Sequence, residues 1–189
     1  MDGLKLDIGC GPNKAEGFVG LDVIAFPGVD HVCNVGADRW PFEDNSVSEA
    51  RAIHFLEHLT NLEGKCERIH FFNELYRVLR PEAGCLLVFP HWASQRYYGD
   101  PTHREPFSEF GFLYLQRDWR LGSGAQPPQA PHTDITYNPH GYSCNFHCNY
   151  QYAYQDHLLK TRTPEFVAFA AQYYKEVVTD IYATVIAKK

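Results

Sequence analysis

The sequence predicts an α/β fold built on a mostly parallel sheet, and three observations carry that prediction. Short apolar strands follow one another, the first of them running into the glycine turn Gly9-Cys10-Gly11. One amphipathic helical pattern separates the fourth strand from the fifth. The fifth, Gly84 to Phe89, is an unbroken apolar run, as expected of a strand buried on both faces.

Leu4 to Ile8 reads as the first strand, Phe18 to Val23 as the second with Asp22 near its end, and Asp30 to Val35 as the third. Trp40 to Ser46 is rich in turn formers, and Ala50 to Phe55 reads as the fourth strand. Over residues 62–80 the apolar positions Leu62, Cys66, Ile69, Phe72, Leu75, Tyr76 and Leu79 keep helical spacing. Arg77 and Arg80 suit the last turn of that helix, and Pro81 stops it. Residues 107–116 could form a short helix, and the stretch 121–141, broken by proline and glycine, reads as a loop or lid. Cys144 to Tyr154 reads as a strand. Thr163 caps a helix that starts with Pro164 and runs to about Val177, and Ile181 to Ala187 is the final strand.

One spacing resists. Only residues 9–17 separate the first two strands, and a shorter stretch the next two. Parallel neighbours normally need a crossover of about a dozen residues. The first helix is therefore a stub and the second little more than a turn, which leaves sheet surface without helical cover.

Composition divides the chain near its middle. Of 189 residues, the first 93 hold 8 basic and 14 acidic side chains and so carry the whole net charge of −6. The remainder balances 9 against 9, yet holds 11 of the 12 tyrosines. An acidic balance argues against general binding to nucleic acid or anionic membranes, which relies on Lys/Arg-rich surfaces. No apolar run reaches the roughly 18 residues of a membrane span. No signal peptide is expected, so the six cysteines read as reduced thiols of a cytoplasmic protein.

The chemistry concentrates in Asp7-Ile8-Gly9-Cys10-Gly11 and in Asp22. Glycines after a strand let backbone approach a ligand closely, and an acid closing the second strand can accept from both hydroxyls of a ribose. The third glycine of a dinucleotide-binding turn is missing, and almost no helix follows to receive a pyrophosphate. NAD and FAD are thereby disfavoured.

Five segments together resemble the class I, Rossmann-like S-adenosylmethionine-dependent methyltransferases. They are Leu6-Asp7-Ile8-Gly9-Cys10-Gly11, Gly20-Leu21-Asp22-Val23, Pro41 to Val47, His54-Phe55-Leu56-Glu57-His58-Leu59 and Leu75 to Pro81, in that family's order. The resemblance implies a Rossmann-like, mostly parallel sheet; strand spacing adds shortened first helices, and composition an aromatic-rich insertion or lid after the fifth strand. The expected organisation is one domain over 1–189: a cofactor half (1–90), which carries the resemblance, an acceptor pocket and lid (91–160), and a closing helix and strand (161–189).

The resemblance also implies that S-adenosyl-L-methionine is bound by Asp7, Gly9, Cys10, Gly11, Asp22, Val23, His54 and Phe55. Asp7, Gly9 and Gly11 would border the methionine end and Asp22 the ribose. Asn34, with Asp38 as its rival, would face adenine. His54 and Phe55 would line the adenine and sulfonium side.

Methyl transfer is an in-line displacement at an activated donor, so it needs a base only where the acceptor must lose a proton. Candidate catalytic residues are His58, His103 and Glu57, with His91 a further histidine at the same sheet edge. His70 reads as packed or solvated. His140, Cys144, His147, Cys148 and His157 offer zinc-ligand types, but match no established finger, and no metal is expected.

The resulting expectation is methyl transfer to a small-molecule acceptor, through a hydroxyl. The tyrosines shape that acceptor's pocket and cover the bare sheet surface, and a homodimer would cover what they leave. Two other readings stay open: a non-catalytic protein that binds the cofactor or its product and acts through a partner, and a nucleic-acid methyltransferase.

Overall fold

The computed structural model of the chain describes residues 3–62 and 64–189. Seven strands form one sheet: β1 (Leu4–Ile8), β2 (Val19–Asp22), β3 (His31–Val32), β4 (Val47–Ile53), β5 (Leu79–Pro90), β6 (Phe146–Tyr154) and β7 (Val178–Ala187). Their order is β3-β2-β1-β4-β5-β7-β6. The first five run parallel, while β7 inserts between β5 and β6 antiparallel to both.

Register explains the core. Leu6, Ala50, Cys85 and Val185 pair in one row, and Ile8, Ala52, Leu87 and Ala183 in the next. All eight are essentially inaccessible. They point to the face where α1 (Glu67–Val78) lays Phe71, Phe72, Leu75 and Val78. Phe107, Phe112, Leu115, Tyr142 and Phe146 join the same cluster.

The aromatic half therefore covers the face that α1 already covers, and not the one the sequence expectation assigned to it. Right-handed crossovers explain why. The connections β1–β2 and β4–β5 step in opposite directions along the sheet, so their helices belong on opposite faces. Among the described residues no helix lies between β1 and β2 or between β2 and β3, only turns. The face opposite α1 is left open, with Leu86, Tyr182, Thr184 and Gln151 at its surface. Ion pairs cross it: Lys5–Glu49 at 2.7 Å, Arg51–Asp7 at 3.2 Å and Arg96–Asp180 at 3.2 Å.

Several boundaries moved. The helix expected over 62–80 begins at Glu67 and ends at Val78; Glu63 lies outside the described residues. Pro81 does not cap that helix from outside but sits within β5. The pairing Val47↔Leu79 is followed by Glu49↔Gly84, so β5 bulges over residues 80–83, where a strand tolerates proline. The fourth strand starts three residues earlier than expected and stops at Ile53. The third shrinks to two residues. The 107–116 helix is a 3-10 turn at Glu109–Leu115, with short helices α2 (Gln95–Tyr98) before it and α3 (Arg117–Leu121) after it. A further short helix, α4 (Asp156–Thr161), precedes α5 (Pro164–Tyr173), which Thr163 caps as expected by accepting from Phe166 N at 3.3 Å.

Two of the family-like segments clasp each other. Arg77 on α1 donates to the carbonyls of Phe42 (2.7 Å) and Trp40 (3.1 Å) and to Asp44 (2.8 Å). Glu74, one turn earlier, accepts from Trp40 N at 2.8 Å. This clasp orders the loop that feeds β4. Residues 121–141 are pinned as well, because buried Arg120 reaches Asp134 at 2.7 Å and the carbonyls of Tyr114 and Cys144.

Candidate active site

The C-terminal ends of β1, β2 and β4 meet at a cavity of about 260 Å³, where open α/β sheets take their ligands. Its lining includes Gly9, Asp22, Val23, Asn34, Phe55 and His58.

Asp22 is the best-presented group. Its carboxylate accepts from Gly11 N and from Ile24 N, each at 2.9 Å. A carboxylate has about four lone-pair sites, so capacity remains for two hydroxyls. Gly9 and Gly11 both adopt left-handed backbone, φ +65° and +53°. They are glycines for different reasons. A Cβ on Gly9 would enter the Phe55 ring, while one on Gly11 would meet only open space. Gly11 is required by backbone alone.

Other expected cofactor residues sit beside the cavity without lining it. Asp7 is turned to the open face, where Ala15 N (2.7 Å) and Arg51 occupy its carboxylate, so it shapes the loop. Cys10 turns its thiol toward β2, 2.7 Å from where a Gly20 Cβ would lie. Asp38 accepts from Asn34 N at 2.9 Å and closes the turn that presents Asn34. Asn34 Oδ1 in turn accepts from Gly36 N at 3.2 Å. His54 lies past the end of β4 in left-handed backbone, φ +51°, and is exposed. Glu57, 3.5 Å from its Nδ1, raises the imidazole pKa above the ordinary value, against the effect of burial.

Cys33, Val35, Leu59, Glu67 and Arg104 also line the cavity and were not singled out by sequence reasoning. Cys33 and Val35 simply flank Asn34. Leu59 closes the segment that begins at His54, and Glu67 opens α1. Arg104 carries no local signal at all, because it arrives from beyond β5.

The three candidate catalytic residues converge. Ligand-capable atoms of Glu57, His58 and His103 lie within 4.8 Å of one another. The 3-10 turn Leu56–His58 presents the first two. Arg104 N donates to Glu57 O at 2.9 Å and thereby draws the loop carrying His103 across the sheet edge. His91 belongs elsewhere: it pairs with Glu109 at 3.0 Å in a separate cavity with Trp92, Tyr152 and Tyr154. His70 faces the carbonyl of Asp38 at 2.7 Å.

The cysteine–histidine cluster does not converge. Cys148 pairs with Val185 on the core face, and His147 with Ile186 on the open face. Cys144 is fully buried, and burial pushes its thiol up to about 12.

No protein-family model matches this chain, and no curated protein sequence does. Solved structures do. An S-adenosylmethionine-dependent methyltransferase from Archaeoglobus fulgidus superposes with a TM-score of 0.58 at 18% identity, over 98% of this chain and 86% of that one. One from Methanosarcina mazei gives 0.55 at 16% identity, over 99% and 93%. Geranyl diphosphate C-methyltransferase from Streptomyces coelicolor A3(2), solved with Mg2+, geranyl-S-thiolodiphosphate and S-adenosyl-L-homocysteine, gives 0.50 at 15% identity, over 98% and 70%. The chain has the Rossmann-like α/β fold of S-adenosylmethionine-dependent methyltransferases.

Proposed function

We propose that this protein binds S-adenosyl-L-methionine in the cavity beside Gly9 and Asp22 and transfers its methyl group to a small-molecule acceptor, through a hydroxyl. The observation that carries the reading is Asp22: a strand-end carboxylate with spare acceptor capacity, facing a cavity, in a fold shared with methyltransferases. Asp22 would hold the ribose hydroxyls, Gly9 would let the ligand approach backbone, and Asn34 with Val35 would border the base.

S-adenosylmethionine supplies a methyl carbon on a sulfonium, an already activated electrophile. The chain's own residues need only orient the acceptor, exclude water and receive a proton. His58 lines the cavity, with Glu57 and His103 clustered around it. The acceptor pocket is thereby assigned to the edge between these three residues and the loop at 99–104. A cytoplasmic setting accords with six free cysteines; no helix among the described residues is long and apolar enough to cross a membrane.

Calorimetry with S-adenosylhomocysteine tests the binding, and methyl turnover against a small-molecule extract tests the reaction. Binding without turnover in any extract would favour the non-catalytic reading. Absence of binding to either cofactor form would overturn the proposal.

A further inference from the structure

We propose that Glu57, His58 and His103 form a binding site for a divalent transition-metal ion at the edge of the cofactor cavity.

Glu57 starts the argument. Its side chain is 2% exposed, and neither carboxylate oxygen receives a hydrogen bond. A buried carboxylate without hydrogen bonds is costly, and such groups are normally closely paired or bound to a metal. Its cation-capable neighbours form long ion pairs, His54 Nδ1 at 3.5 Å and His103 Nε2 at 3.9 Å, too far for a hydrogen bond to satisfy the carboxylate.

The histidines supply an independent second observation. His103 Nδ1 lies 2.6 Å from Tyr97 O, and a carbonyl can only accept, so the ring proton sits on Nδ1. Nε2 is then the ring atom left to face the carboxylate, 3.9 Å away. His58 repeats the pattern. Its Nδ1 lies 3.3 Å from Thr102 O and 3.3 Å from Thr102 Oγ1. That hydroxyl spends its own proton on Asp100 Oδ1 at 2.6 Å, so it too accepts from His58. Imidazoles oriented through Nδ1–H, which leaves Nε2 as the ligand atom, are how metal-binding histidines are held.

Glu57, His58 and His103 thus bring one carboxylate and two imidazoles to one place without a close bond between them. A cation at their centre gives Glu57 the close partner its oxygens lack. Metal-bound nitrogen and oxygen ligands at about 2.0–2.2 Å lie about 3–3.5 Å apart, so a site spanning 4.8 Å contracts by rotamer adjustment when filled. Two imidazoles and one carboxylate suit zinc, manganese, iron or cobalt rather than calcium or magnesium, which prefer oxygen. Asp100 Oδ2, 3.8 Å from His103 Nε2, stands at the solvent side as a further oxygen.

Three protein ligands leave coordination positions open, as in catalytic metal sites. His58 is shared with the cofactor cavity, so the open side adjoins it. Resting on the methyl-transfer reading, the ion would take the acceptor's oxygen as a ligand. A metal-bound hydroxyl loses its proton to solvent more readily than a free one. Specificity then favours acceptors with a hydroxyl flanked by a second oxygen.

The test is titration of Co2+ into the full chain without cofactor, followed by visible absorption, with Zn2+ and Mn2+ in competition. Wild type is expected to bind one ion saturably. Glu57→Gln and His103→Ala should each weaken binding about tenfold or more, while Asp22→Ala binds normally. Should Glu57→Gln fail to fold, His58→Ala, at a less buried position, must show the same loss. No saturable binding by wild type, or binding that the ligand variants retain, overturns the site. Metal binding without S-adenosylhomocysteine binding leaves the site standing and removes the methyl-transfer reading instead.

Discussion

The Phe55 ring lies over Gly9 so closely that a side chain of any kind on residue 9 would penetrate it. The contact joins the turn after β1 to the segment after β4, two parts of the chain that together border the candidate cofactor cavity.

Gly9→Ala is therefore expected to destabilise the protein by about 1–3 kcal/mol, from left-handed strain and displacement of Phe55. Urea denaturation measures it. Gly11→Ala should show only the backbone component, because no atom lies near its Cβ. Equal losses at the two sites would contradict the packing argument.

Asp22→Ala should weaken S-adenosylhomocysteine binding about 10- to 100-fold, the loss expected for hydrogen bonds to a charged group. Asp22→Asn, which keeps an acceptor for the Gly11 amide, should lose less. Isothermal calorimetry decides, and unchanged affinity in the alanine variant sinks the ribose assignment.

Arg120 and Asp134 are both essentially inaccessible and 2.7 Å apart. Removing one partner strands the other, so Arg120→Ala should cost about 3–5 kcal/mol. Arg120→Met with Asp134→Leu should recover much of that. Midpoints of urea unfolding for the single and double variants give the comparison.

Glu109 links stability to acid. Burial disfavours its charge, but hydrogen bonds from His91 and Tyr152 outweigh burial and hold its pKa at about 2, against an ordinary 4.5. A depressed carboxylate contributes fully above the unfolded pKa and loses that contribution as pH falls toward the folded one. Stability should thus decline between about pH 4.5 and 2, and Glu109→Gln should flatten that part of the curve. Thermal melts across this range are the measurement.

Cys85 and Cys144 are fully buried, with thiols raised by burial, to about 12 for Cys144. Brief iodoacetamide treatment at neutral pH should leave both unmodified while reaching the partly exposed Cys10 and Cys66. Peptide mass spectrometry reads the outcome.

Much of the candidate cavity was legible because its signals are local. A glycine turn, a strand-end acid and the Asn34 loop each announce themselves within a few residues, and Gly9, Asp22 and Asn34 do line one cavity. Misplacements came where backbone and side chain part company. Asp7 and Cys10 belong to the turn, yet strand alternation points Asp7 at the open face, and Cys10 packs toward β2. Pro81 marked the end of a helix correctly in kind, but a β-bulge absorbed it into the next strand.

By itself, the sequence determined the α/β class, the strands and one amphipathic helix, and the carboxylate that faces the cavity, because periodicity and turn chemistry are local properties. Tertiary structure alone decided which sheet face the aromatic half covers, since crossover handedness is not written at any one residue. It alone brought Arg104 to the cavity, across the distance from β4 to the loop after β5. It alone set His103, 45 residues beyond His58, against the buried carboxylate of Glu57. Chain order could name those three groups as separate candidates; only folding shows that they share one place.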